Sequence, residues 1–201
     1  MIQRLVIAVL SVCPIAALSA EDATTTKAAT ATASASAPAP PLPALAPIAA
    51  LDINRYMGTW YELARYPNRF QRQCAGPARA EYKLQPDGRV QVLNACPLPD
   101  GSEDRALGEA RRVGPTGSAT LQVRFAPAWL SLLPFVWGDY WVIDLDEAYT
   151  LVAVSEPKRE YLWVLSRTPQ PDAAAWQALQ SRLQQRGFDL GRLQSAGPVR
   201  R

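Results

Sequence analysis

The chain has 201 residues, with 21 Lys or Arg against 18 Asp or Glu, 18 prolines and no histidine. A net charge of +3 with no basic run interleaved with aromatics leaves no electrostatic footprint for nucleic acid, and the missing histidine removes the commonest general base and the commonest metal ligand. No Gly-x-Ser-x-Gly, phosphate-binding glycine loop or close carboxylate pair stands in for it, so the composition points to a binding protein without metal or cofactor and not to an enzyme.

Met1-Ile2-Gln3-Arg4 precedes an apolar run from Leu5 to Leu18 that ends in Ser19-Ala20. One charge, a short apolar stretch and small residues are the parts of a secretory signal peptide, and the run is short for a membrane-spanning helix. Residues 1–20 are expected to be a leader removed on export, so the mature chain is expected to be exported. Leu10-Ser11-Val12-Cys13 offers a competing reading as a lipid-anchoring site, opposed by the bulky Val12 and the following Pro14. Residues 21–50 are mostly Ala, Thr, Ser and Pro, hold little large apolar surface and read as an extended linker. The folded domain is expected over residues 51–201.

Eight β-rich runs follow: Thr59–Tyr66, Ala78–Leu84, Arg89–Ala95, Asp104–Arg112, Ala119–Phe125, Tyr140–Leu145, Thr150–Ser155 and Tyr161–Arg167. Turn residues such as Pro86-Asp87-Gly88, Pro99-Asp100-Gly101 and Gly114-Pro115-Thr116-Gly117 separate most of them. Short sequential connections favour antiparallel neighbours, and eight strands closed into an up-and-down barrel remove exposed edges around room for one small ligand. After Thr168-Pro169, Asp172 is placed to cap a helix over Ala173–Arg186, whose Trp176, Leu179 and Leu183 stripe packs on the outer wall.

Cys74 and Cys96 flank the hairpin of the second and third runs, and export places them where disulfides persist. If Gln85 and Gly88 face each other, opposed residues have numbers summing near 173, which brings the two cysteines together at the far end; the rival reading is two free thiols. Gly58 and Trp60 open the first run and Arg167 ends the last, so a guanidinium stacked on the indole would lock the barrel shut at its floor. Counting by twos from Trp60 lines the lumen with Glu62, Ala64 and Tyr66, and counting back from Arg167 adds Trp163 and Tyr161. Tyr82, Asn94 and Tyr140 are assigned to the same lining.

The first, third, fifth and seventh connections then share the open end. The fifth, 126–137, carries no charge over twelve residues. Its Trp129, Leu132, Leu133, Phe135 and Trp137 are expected to form a lid over the mouth, a plug, or a contact with a membrane.

Gly58-Thr59-Trp60-Tyr61-Glu62-Leu63-Ala64-Arg65, Leu145-Asp146-Glu147-Ala148-Tyr149 and Tyr161-Leu162-Trp163-Val164-Leu165-Ser166-Arg167-Thr168-Pro169 resemble the three short motifs of the lipocalin family, most closely its bacterial members of the Blc and apolipoprotein D type. In the middle motif only Asp146 matches directly. The resemblance implies an eight-stranded barrel with an outer helix. It also implies a fatty acid or lysophospholipid ligand and a role in lipid storage or transport in the cell envelope, in the periplasm or at the outer membrane. Peripheral membrane contact through the fifth connection and a monomer or weak dimer are also expected. Two alternatives remain open: a membrane-docking envelope protein without stoichiometric cargo, and an isomerase of the lipocalin type using a free Cys74.

Overall fold

A computed structural model describes residues 42–197. The expected leader, Cys13 and the linker as far as residue 41 lie outside the described residues. Eight strands, β1 (Gly58–Arg65), β2 (Arg79–Leu84), β3 (Val90–Pro97), β4 (Glu103–Arg112), β5 (Thr120–Arg124), β6 (Gly138–Leu145), β7 (Leu151–Ser155) and β8 (Leu162–Ser166), pair antiparallel in chain order, and β1 meets both β2 and β8 to close the barrel. A two-residue strand, β9 (Gln194–Ser195), adds to β1 at Ala64 and Arg65. All eight expected strands form within two residues of their anticipated ends.

Alternation sorts the side chains into two cores. Inside the barrel, Trp60, Val92, Leu121, Val142, Val152 and Val154 pack together. Outside it, α2 (Ala173–Gln185) lays Leu179 and Leu183 on Ile143, Leu162 and Val164, with Trp176 partly covered beside them. Asp172 accepts from the Ala175 amide at 2.8 Å and starts the helix, and Gly187 at φ +84° ends it. Arg182 then clamps the Asp144 carboxylate of β6 through two bonds of 2.8 Å.

The end of the expected linker also packs on the barrel. Residues 43–50, read as the end of an unpacked linker, run with Leu51 along the outside of the barrel to its closed end. Leu45 is buried in the outer core, the Ile48 amide donates to Val142 O at 2.8 Å and the Leu51 amide to Gly117 O at 2.7 Å. Leu45 and Ile48 are large apolar residues in a run of Ala and Pro. Their burial offsets the ordering of this strap.

A β-bulge between Glu62 and Ala64 changes the parity of β1. Before it, Glu62 pairs with Leu165 of the inner core; after it, Ala64 pairs with Val164 of the outer core and Arg65 with Trp163. One extra residue therefore turns Ala64 and Tyr66 out and Arg65 in.

Candidate functional site

The floor forms around α1 (Ile53–Tyr56), a single helical turn that the eight-strand reading did not anticipate. Asp52 caps it by accepting from the Asn54 and Arg55 amides at 2.9 and 3.3 Å. The turn carries Tyr56 up into the barrel, where it is buried in the inner core. Trp60 Nε1 donates to Tyr56 O at 2.9 Å, and the Arg167 guanidinium lies 3.9 Å above the indole. Arg167 also donates to Thr59 O at 2.9 Å and Arg55 O at 2.7 Å, so it ties β8, β1 and α1 together. Gly58 sits at φ +93°, where a Cβ would meet Arg167 Nη1 at 3.3 Å.

The middle motif supports the same floor. Asp146 accepts from the Thr150 and Leu151 amides at 2.7 and 2.6 Å and so fixes the β6–β7 turn. The turn presents Tyr149, whose ring lies 3.9 Å from the Arg55 guanidinium and whose hydroxyl accepts from the Asp52 amide at 3.0 Å.

Above the floor, three tyrosines cross the lumen. The Tyr140 hydroxyl lies 2.7 Å from that of Tyr56 and 3.0 Å from that of Tyr82. Burial pushes the Tyr82 phenol up to about 12 and those of Tyr56 and Tyr140 well above their ordinary value. All three stay neutral at physiological pH, so the inside of the barrel carries hydroxyl groups above the floor.

At the neck, Glu62 is 3 % exposed and receives Arg65 Nη1 on one oxygen and Gln71 Nε2 on the other. Gln71 belongs to the first connection, and its carbonyl accepts from Trp163 Nε1 and Asn68 Nδ2, each at 2.9 Å. The first connection thus packs against the end of the barrel opposite the floor. Tyr161 stacks on Trp163 with centroids 5.7 Å apart, and the Phe70 ring lies 5.7 Å from that of Tyr161. Cys74 and Cys96 form a disulfide with Cα atoms 5.6 Å apart, which fastens this connection to the end of β3.

The fifth connection does not plug the barrel, because its tip is exposed. Two 3-10 turns, Ala128–Leu130 and Pro134–Val136, shape it, and Trp137 is held on the outer wall with Arg111 4.0 Å and Arg124 5.2 Å from its ring. Its tip projects into solvent, with Trp129 78 %, Leu132 90 % and Phe135 81 % exposed and Leu133 less so. No other segment of the described residues presents so many exposed large apolar side chains together.

Of the expected lining, Glu62, Tyr82, Tyr140 and Trp163 face the lumen, Asn94 shares the inner face with its partner Ala80, and Tyr161 stands at the rim. Ala64 and Tyr66 do not line it. Tyr66 packs on Phe188 in the outer core and donates to Asp189 O at 3.0 Å. Sequence reasoning missed Tyr56, Arg65 and Gln71. The Asp52 cap signal could have revealed the turn that carries Tyr56, but nothing in the local pattern marked the bulge that turns Arg65 inward.

Residues 51–198 match the lipocalin-like domain family. Temperature-induced lipocalin-1 of Arabidopsis thaliana is 38 % identical over 148 residues, 73 % of this chain and 78 % of that protein. The outer membrane lipoprotein Blc of Escherichia coli K12 is 38 % identical over 142 residues, 70 % of this chain and 76 % of that protein. Insecticyanin from the tobacco hornworm, only 17 % identical, shares the fold at a TM-score of 0.61 over 79 % of this chain and 86 % of its own. With its floor motif, closed barrel and outer helix all in place, the chain belongs to the lipocalin family.

Proposed function

We propose that the protein carries one amphiphilic lipid, a fatty acid or a lysophospholipid, in its barrel for storage or transport in the cell envelope. The observation that carries this reading is the division of the barrel: a sealed floor, an apolar inner wall, and a polar neck at the end opposite the floor. Such a gradient suits a tail that enters first and a head that stops at the neck. The envelope location draws on the similarity to Blc, which is named as an outer membrane lipoprotein.

The exposed tip of the fifth connection lies at the same end as the neck. Burying each of its large side chains in a bilayer is worth roughly 1.5–3 kcal/mol, enough for reversible contact when several insert together. The loop would then bring the mouth to the membrane from which a lipid leaves. The isomerase alternative loses support, because the thiol it needs is held in the Cys74–Cys96 disulfide. Native mass spectrometry of the protein after mild extraction tests the proposal. A co-purified single-chain lipid at one per barrel supports carriage, whereas an empty barrel that still binds vesicles supports docking without cargo.

A further inference from the structure

We propose that Arg65, oriented by Glu62 at the neck and backed by Arg69 and Arg72 in the groove outside it, is a headgroup site. It selects amphiphiles ending in an oxyanion, either carboxylate or phosphate, and Glu62 sets the strength of that selection. The inference rests on the lipid-carriage reading and assigns the residues that would hold the head of such a lipid.

The bulge is the first support. An unbroken β1 would point residue 65 at the outer core; the extra residue sends this guanidinium into the neck instead, beside Trp163. Bulges commonly re-aim a side chain next to a functional site, and a largely buried cation is costly unless it has a partner. The partner present is Glu62, buried and held by Arg65 on one oxygen and by Gln71 on the other.

The second support is unused donor capacity. A guanidinium has about five N–H donors in a planar fork, and among the described residues the Arg65 side chain bonds only to Glu62. The remaining edge borders a groove of about 580 Å³ at the mouth, where Arg65, Arg69 and Arg72 face a single acid, Glu160. An oxyanion arriving behind its tail meets an excess of positive charge in the groove and then the free edge of Arg65.

Glu62 limits the attraction because its charge opposes that of the ligand. Glu62→Gln keeps an acceptor for Arg65 and removes the repulsion, so it should strengthen anion binding. Arg65→Gln alone would strand a buried carboxylate and threaten the fold, so the informative second variant is Glu62→Gln with Arg65→Gln, which removes both charges together.

The test uses delipidated full-length protein titrated with oleic acid, oleoyl lysophosphatidylglycerol and, as a neutral reference, oleyl alcohol. The readout is the ratio of each acid's affinity to that of the alcohol. Glu62→Gln should raise the ratio several-fold, and the double variant should lower it about tenfold or more, the scale of a lost charge-assisted contact. A response with oleic acid alone assigns a carboxylate head, one with the lysophospholipid alone a phosphate head, and either supports the proposal. Equal ratios in all three proteins, with oleyl alcohol still bound, overturn the headgroup site and leave carriage standing. Failure of all three probes to bind removes carriage itself, and this inference with it.

Discussion

The Arg167 guanidinium sits 3.9 Å above the Trp60 ring while donating to the Thr59 and Arg55 carbonyls, so one side chain from the end of β8 closes the barrel and clasps the turn beneath it. Arg167→Ala removes the stacking and leaves both carbonyls without this donor. The expected cost is about 2–4 kcal/mol, read as a lower midpoint in denaturant unfolding. An unchanged midpoint would show that the clasp is incidental.

The strap makes a sharper prediction about length. A chain beginning at Pro40 should unfold at the parent midpoint, whereas one beginning at Ala50 loses Leu45 and Ile48 from their contacts and should unfold measurably earlier. Leu45→Ala alone should cost about 2–3 kcal/mol, as expected for truncating a buried leucine. Equal midpoints for the two truncations would show that the strap contributes nothing to the core.

Leu132→Asp combined with Leu133→Asp is expected to slow lipid uptake from vesicles and weaken vesicle binding while leaving thermal unfolding nearly unchanged. Leu132 is 90 % exposed and Leu133 37 %, so little folded-state burial is lost. A large drop in melting temperature would place the tip in the core, and uptake at the parent rate would remove its proposed role.

The tyrosine cluster predicts alkaline sensitivity. Tyr82 ionises near pH 10 when unfolded and near 12 when folded, because burial disfavours the phenolate. The unfolded state therefore loses its proton first, and the stabilisation is present below pH 10 and lost as pH rises toward 12. The loss from this residue is roughly 2–3 kcal/mol. Unfolding free energy measured across that window should fall, and Tyr82→Phe should flatten the fall.

Alternation and turn chemistry made the strands, the floor pair, the disulfide and the outer helix legible, because each depends on local spacing or on one large side chain. The neck was less legible. Its composition depends on a bulge at Leu63 that reverses parity for the rest of β1, and on Gln71, which reaches Glu62 and Trp163 only after the first connection has folded back. The packing of the strap was missed for a related reason: Leu45 and Ile48 are too few to register as an element, yet they find a wall already built by β6, β7 and α2.

The way β1 is paired also constrains the order in which the molecule can be assembled. One side of β1 is taken by β8, from Tyr61 opposite Ser166 to Arg65 opposite Trp163; near the mouth its other side is taken by β9 at Gln194 and Ser195. An emerging chain can form the β2–β3–β4 meander early, since those pairings are local, but β1 keeps an open edge until the last fifth of the sequence is available. Closure is thus a late, long-range event. Until it happens the chain has unpaired strand edges and an uncovered inner wall, a form open to capture by other chains and in need of protection during synthesis.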